Sequence, residues 1–233
     1  MNLIQRLAQL LANERSRRFL LRWSFSNWLV LTWLLPFGCG LVLAFQFIGF
    51  APLRSVLPAP YETPAIIEHW LLTPLLLVLL GAGYGAALGQ MQRDALRDYF
   101  AWQPPRRRRW TALGGASGAL VAHLLLIGLG ALGLYGWNLI ALPIFFAGIG
   151  WGQERSALMG GRWIAAHASG GLVCAALLLL AQFAGILGLL LITLAPAAPA
   201  LVTGPALLHI IENGNQRARN EASSASASAS GRR

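Results

Sequence analysis

Residues 104–134 read PPRRRRWTALGGASGALVAHLLLIGLGALGL, and their reading decides the fold. Four arginines, Arg106 to Arg109, run into Trp110, and from Thr111 to Leu134 no acidic or basic side chain follows apart from His123. At 1.5 Å of rise per residue such a run makes a helix able to cross the roughly 30 Å hydrocarbon core of a bilayer, with its cationic end held at one surface. Gly114 and Gly118 stand four apart, the spacing at which two membrane helices can bring their backbones together.

The same grammar extends outward in both directions. Long apolar runs predict helices at about 24–50, 65–89, 111–134, 137–153, 164–182 and 185–211, the fourth short and the sixth long. The chain has 233 residues, of which 56% are hydrophobic and 11% charged, whereas a soluble domain carries about a quarter charged residues. The expectation is an all-α, polytopic membrane protein whose six transmembrane helices use nearly the whole chain and leave nothing for a second, soluble core. Tyr135-Gly136-Trp137-Asn138 and Gln182-Phe183-Ala184-Gly185 are short enough to make tight helical hairpins.

Charge gives an independent check on this count, because basic residues in short loops are retained in the cytoplasm. Of the 18 basic residues, all arginine, only Arg54 falls on the outer side of a six-span scheme. Both termini are then cytoplasmic. No small-residue cleavage site follows the first apolar run, so it reads as an uncleaved span. The same sorting accounts for the net charge of +10 without nucleic acid as a partner. Anionic lipid headgroups are the partner expected for Arg106 to Arg109. Leu3, Ile4, Leu7, Leu10 and Leu11 recur at helical spacing, predicting a cytoplasmic amphipathic helix within residues 1–22. The Ala/Ser alternation of 222–230 predicts a disordered tail over 212–233.

The cytoplasmic connections resemble one another. Glu14-Arg15-Ser16 precedes Arg22-Trp23 as Glu154-Arg155-Ser156 precedes Arg162-Trp163, and Arg93-Asp94-Ala95-Leu96 leads to Arg109-Trp110. Each Arg-Trp pair opens an odd-numbered helix, which suggests three pseudo-repeated hairpins. Arg22, Trp23, Arg109, Trp110, Arg162 and Trp163 are therefore candidate interface or lipid anchors, since Trp favours the headgroup level and Arg reaches phosphate from the same turn. Gly81, Gly85 and Gly89, with Gly148 and Gly152, extend the small-residue packing pattern.

Gly89-Gln90-Met91-Gln92-Arg93-Asp94-Ala95-Leu96-Arg97, with Trp110 and the glycine-spaced helix after it, is similar to the G-x-x-Q-x-x-x-L-R, Trp, Gly-rich-helix repeat of uncharacterised bacterial multi-spanning membrane proteins. Leu201-Val202-Thr203-Gly204 with Leu207-Leu208 resembles the end of their last helix, so the likeness covers most of 85–211. Trp151 and Glu154 stand in the second copy where Gly89 and Gln92 stand in the first. The resemblance implies a multi-pass protein of the bacterial cytoplasmic membrane and supplies no reaction.

Chemistry-bearing residues are few. Gly115-Ala116-Ser117-Gly118 resembles the G-x-S-G of rhomboid intramembrane proteases, with His209 as a base on the last helix. Yet Ala-Ser-Gly recurs at 168–170, the helix-2 pattern of that family is absent, and the serine would face the wrong side. Glu68-His69, His123 and His167 read as interface or packing residues, and Cys39 and Cys174 as packed thiols. No residue set has metal-ligand spacing, so neither metal nor other cofactor is expected. Gln46, Asn138, Gln153 and Gln182 are candidates for hydrogen bonds between helices. Pro74, Pro143, Pro196, Pro199 and Pro205 fall in even-numbered helices, a bias that kinked helices around a cavity would produce. The functional expectation is a non-catalytic packing, assembly or lipid-associated membrane subunit, with a membrane-protein partner or a second copy of itself. The alternative is a small-solute transporter or channel component.

Overall fold

The structure is a computed structural model that describes residues 12–44, 73–100, 106–134, 139–157 and 161–211. Among the described residues the chain is helical and contains no strand. The helices are α1 (Glu14–Ala44), α2 (Thr73–Phe100), α3 (Arg107–Ala131), α4 (Ala141–Ala157), α5 (Gly161–Ala181) and α6, which spans Ile186–Ile211 through a 3-10 turn at Ala195–Ala197. Among the described residues four helices, α2, α3, α5 and α6, are long and apolar enough to cross a membrane. Helix α4 has 17 residues, which is about 25 Å of rise, and α1 carries Arg15, Arg17, Arg18 and Arg22 ahead of an uncharged run from Trp23 to Ala44.

Each helix packs on its neighbours in sequence, and α1 closes the circuit against both α2 and the 3-10 turn of α6. Helix directions alternate. Phe19 of α1 meets Tyr99 and Phe100 of α2 at ring-centroid distances of 5.9 and 5.0 Å, and Arg22 pairs with Asp98 at 2.7 Å. The starts of α1, α3 and α5 thus share one arginine-rich end with the ends of α2, α4 and α6.

Hydropathy misplaces the helix limits at this end. The helices begin or finish several residues beyond the apolar runs: α1 at Glu14 instead of 24, α2 at Phe100 instead of 89, and α4 at Ala157 instead of 153. These extra turns carry arginine outside and apolar side chains inside, so an average around the helix hides them. Phe19, Trp23, Ala95, Leu96, Trp163, Ala200, Leu207 and Leu208 form the resulting core cluster. Residues 14–22 accordingly belong to α1 and not to a separate surface helix; residues 1–11, the tail from 212, Gln46, Asn138 and the Glu68-His69 pair lie outside the described residues. A second cluster, Val30, Tyr84, Leu88, Phe146 and Ile149, lies deeper, and a third joins Cys174, Ala195 and Ala198.

The glycine stripes lie where helices touch. A methyl group on Gly81 would collide with Gly115 O on α3, one on Gly114 with Gly148 O on α4, and one on Gly152 with Trp110 O. Gly170 and Gly171 likewise meet Pro199 of α6 and Pro143 of α4. The proline bias has one visible effect. Pro196 and Pro199 withhold two backbone donors from α6, and around this break the helix tightens to 3-10 geometry while Trp28 Nε1 of α1 donates to Thr193 O at 2.8 Å. The expected turn between α5 and α6 is present, with Gly185 at φ 54°. At the end of α3, Leu134 N donates to Leu129 O at 2.8 Å around Gly133 at φ 73°, a Schellman closure that requires the left-handed residue.

Candidate functional site

One layer of polar side chains crosses the bundle interior between the two apolar clusters nearest the arginine-rich end. Gln92 lies four residues from Leu88 and four from Leu96, and Gln153 four from Ile149, so apolar turns bracket the layer along the axis. Its centre is Arg107, the first residue of α3, which is only 1% exposed. Helical spacing puts it there. Arg107, Thr111, Gly114, Gly115, Gly118 and Ala122 form the buried stripe of α3, while Arg106, Arg108 and Arg109 point outward.

Arg107 Nη2 donates to Gln92 Oε1 at 3.1 Å and to Gln153 Oε1 at 2.9 Å. Trp163 Nε1 donates to Gln153 Oε1 at 3.2 Å, and Gln153 Nε2 to Gln92 Oε1 at 2.8 Å. The amide orientations follow from donor chemistry. Guanidinium and indole only donate, so Gln153 must turn its oxygen to both, its nitrogen then faces Gln92, and Gln92 must answer with oxygen. The result is a surplus of donors: Arg107 Nε, Arg107 Nη1 and Gln92 Nε2 are buried without a hydrogen-bond partner.

Aromatic residues wall the layer. The Arg107 guanidinium lies 5.9 Å from the ring centroid of Trp23, which meets Trp163 edge-on at 6.5 Å. Trp23 Nε1 donates to Thr203 Oγ1 of α6 at 3.1 Å. His167 packs on Trp163 at 4.7 Å and holds Nδ1 3.2 Å from Trp163 O. The six helices each contribute a side chain: Trp23, Gln92, Arg107, Gln153, Trp163 and Thr203. Among the described residues no carboxylate pairs with Arg107.

The six residues expected as anchors divide. Trp23 and Trp163 are fully buried, so they face one another across the interior and cannot serve at headgroup level. Trp110 is half-buried and meets Trp151 edge-on at 6.5 Å. Arg22 is tied to Asp98, while Arg109 and Arg162 are exposed. Within the arginine run, Arg107 faces the bundle interior and not the outer surface. Of the glutamines expected to bond between helices, Gln153 does so and Gln182 stands in the exposed turn. Sequence reasoning named Gln92 and Thr203 only within the family-like motifs and Arg107 only within the arginine run expected at lipid headgroups, none of them as an interior hydrogen-bonding residue; for Arg107 the signal was its place on the small-residue stripe of α3.

The remaining polar groups are scattered. Ser117 lies ten residues from Arg107, about 15 Å along α3, and its hydroxyl donates to Gly114 O at 3.1 Å. His209 lies toward the opposite side of the polar layer, six residues beyond Thr203 on α6. His123 Nε2, Tyr84 OH and Thr32 Oγ1 are buried without partners on three different helices. Among the described residues no group of His, Cys, Asp and Glu could hold a metal ion.

Comparison with protein-family models, with curated proteins and with solved structures finds no match.

Proposed function

We propose that this chain is a six-span protein of the bacterial cytoplasmic membrane, with both ends on the arginine-rich, cytoplasmic side, and that it binds a small polar solute in the layer around Arg107 as a carrier or channel component. One observation carries the reading: a guanidinium at 1% exposure that keeps two nitrogens without acceptors and, among the described residues, has no counter-charge. A charge placed inside a membrane bundle is costly, and its usual justification is a ligand or ion pathway. Support comes also from the unequal joints of the ring. The α2–α5 body, and α6 where Gly170 meets Pro199, are held by backbone contact at glycines, whereas α1 meets α6 through side chains, by indole hydrogen bonds at Thr203 and Thr193 and by Leu20 against Gly204. The joint between α1 and α6 is the part able to open the layer.

The test is access. In reconstituted protein lacking Cys39 and Cys174, Thr203→Cys is expected to react with a small thiosulfonate reagent supplied from the cytoplasmic side, although Thr203 is 1% exposed in the closed state. Complete resistance in the folded protein would overturn the solute-binding reading. It would favour a second one, a non-catalytic packing or assembly subunit, for which the glycine-welded α2–α5 body provides a rigid scaffold.

A further inference from the structure

We infer that the donors left over around Arg107 form a binding site for a phosphate group, either free or carried by a lipid headgroup; this names the ligand class of the site proposed above and rests on that reading. The donor count selects the chemistry. Arg107 Nε, Arg107 Nη1 and Gln92 Nε2 all lack acceptors, and they belong to two side chains joined by the 3.1 Å bond from Arg107 Nη2 to Gln92 Oε1. Neither group can accept a hydrogen bond at these nitrogens, so the missing partner must be an acceptor. A neutral acceptor would satisfy the protons and leave the charge, because among the described residues no carboxylate pairs with Arg107. The free nitrogens of Arg107 flank an engaged Nη2, so their protons point along different directions, and a carboxylate, whose acceptor sites lie in one plane, meets such a spread poorly. The tetrahedrally arranged oxygens of a phosphate group meet it.

The surroundings agree. Arg107 is the first residue of α3, whose start has no side-chain cap, so the positive end of that helix adds to the guanidinium. Arg106, Arg108, Arg109 and Arg162 stand exposed at the same end of the bundle and raise the local concentration of anions. The exposed arginines alone would bind phosphate weakly and in no fixed ratio. Arg107 defines one site per chain.

The experiment uses full-length protein in nanodiscs. In discs of phosphatidylcholine, equilibrium dialysis with radiolabelled inorganic phosphate is expected to show saturable binding of about one per chain, displaced by sulfate and not by chloride. In discs containing phosphatidylglycerol without free phosphate, native mass spectrometry reads retained anionic lipid. Binding in the first arm assigns a free oxyanion, and retention only in the second assigns a lipid headgroup. Either is expected to vanish in Arg107→Gln and to persist, weakened, in Arg107→Lys. Should Arg107→Gln fail to fold, Gln92→Leu decides, with at least tenfold weaker binding expected. The inference is overturned if native protein retains neither ligand, or if the folded variants retain both undiminished. A layer open to the thiol reagent but indifferent to phosphate would sink this inference alone. A phosphate held in a layer closed to the reagent would sink the solute-binding reading and leave the site as a structural one.

Discussion

Arg107 occupies a position that its neighbours along α3 fill with threonine, glycine and alanine, and its energetics are unusual for that reason. If the side chain is replaced by methionine, Gln153 Oε1 keeps the Trp163 donor and Gln92 Oε1 keeps Gln153 Nε2, so no acceptor is orphaned. Arg107→Met is therefore expected to leave the fold as stable as before, or more stable by up to about 4 kcal/mol, as exchanging a buried charge for a packed apolar group often does. Gln153→Leu is expected to do the opposite, costing about 1–3 kcal/mol, because it strands Trp163 Nε1 and one Arg107 bond. Thermal unfolding in detergent compares the two. A second residue-level feature lies one position earlier. Arg106 is the single non-glycine residue at positive φ among those described, at 55°. Arg106→Gly is expected to raise stability by up to about 1 kcal/mol, read in the same assay. The site was only partly legible from residues alone. Four arginines in a row look alike by composition, and the indole of Trp110 drew attention to the wrong turn; only the stripe running from Arg107 through Thr111 to Gly114 and Gly118 separates the interior arginine from the exterior ones.

At the level of helices, the glycine contacts set how tightly the body is built. Gly114 and Gly152 bring α3 and α4 close enough that a side chain has no room, so Gly114→Val is expected to cost at least about 1–3 kcal/mol through overpacking. Gly128, on the same helix, has nothing within 4 Å of an added Cβ. Gly128→Ala is expected to be neutral or to stabilise by up to about 1 kcal/mol through helix propensity. A Gly114→Val protein as stable as Gly128→Ala would mean that α3 and α4 lie farther apart at Gly114. Helix existence and order were readable from hydropathy. Helix length was not, because Phe19, Trp23, Leu96 and Trp163 lie inside turns whose outer faces are cationic, and a pattern based on mean apolarity ends where such turns begin.

For the whole molecule, the closing of the ring by α1 and α6 is the feature farthest from sequence. Leu20 and Trp23 meet Gly204 and Thr203 across some 180 residues, and no local pattern encodes that approach. A disulfide between Leu20→Cys and Gly204→Cys is expected to form readily under mild oxidation, whereas an open bundle would leave both thiols free. In the proposed topology, Arg106→Cys and Leu134→Cys are expected to label from opposite sides of the membrane with an impermeant maleimide; labelling of both from one side would break the even alternation of spans.

The shortness of α4 carries its own consequence. With 17 residues it offers about 25 Å of rise, less than an average hydrocarbon core of roughly 30 Å. If α4 spans as proposed, lipid beside Phe145 and Trp151 must compress to meet it, and the cost of that mismatch falls as acyl chains shorten. The protein would then gather short-chain lipid around one flank and sort toward thin regions of its bilayer.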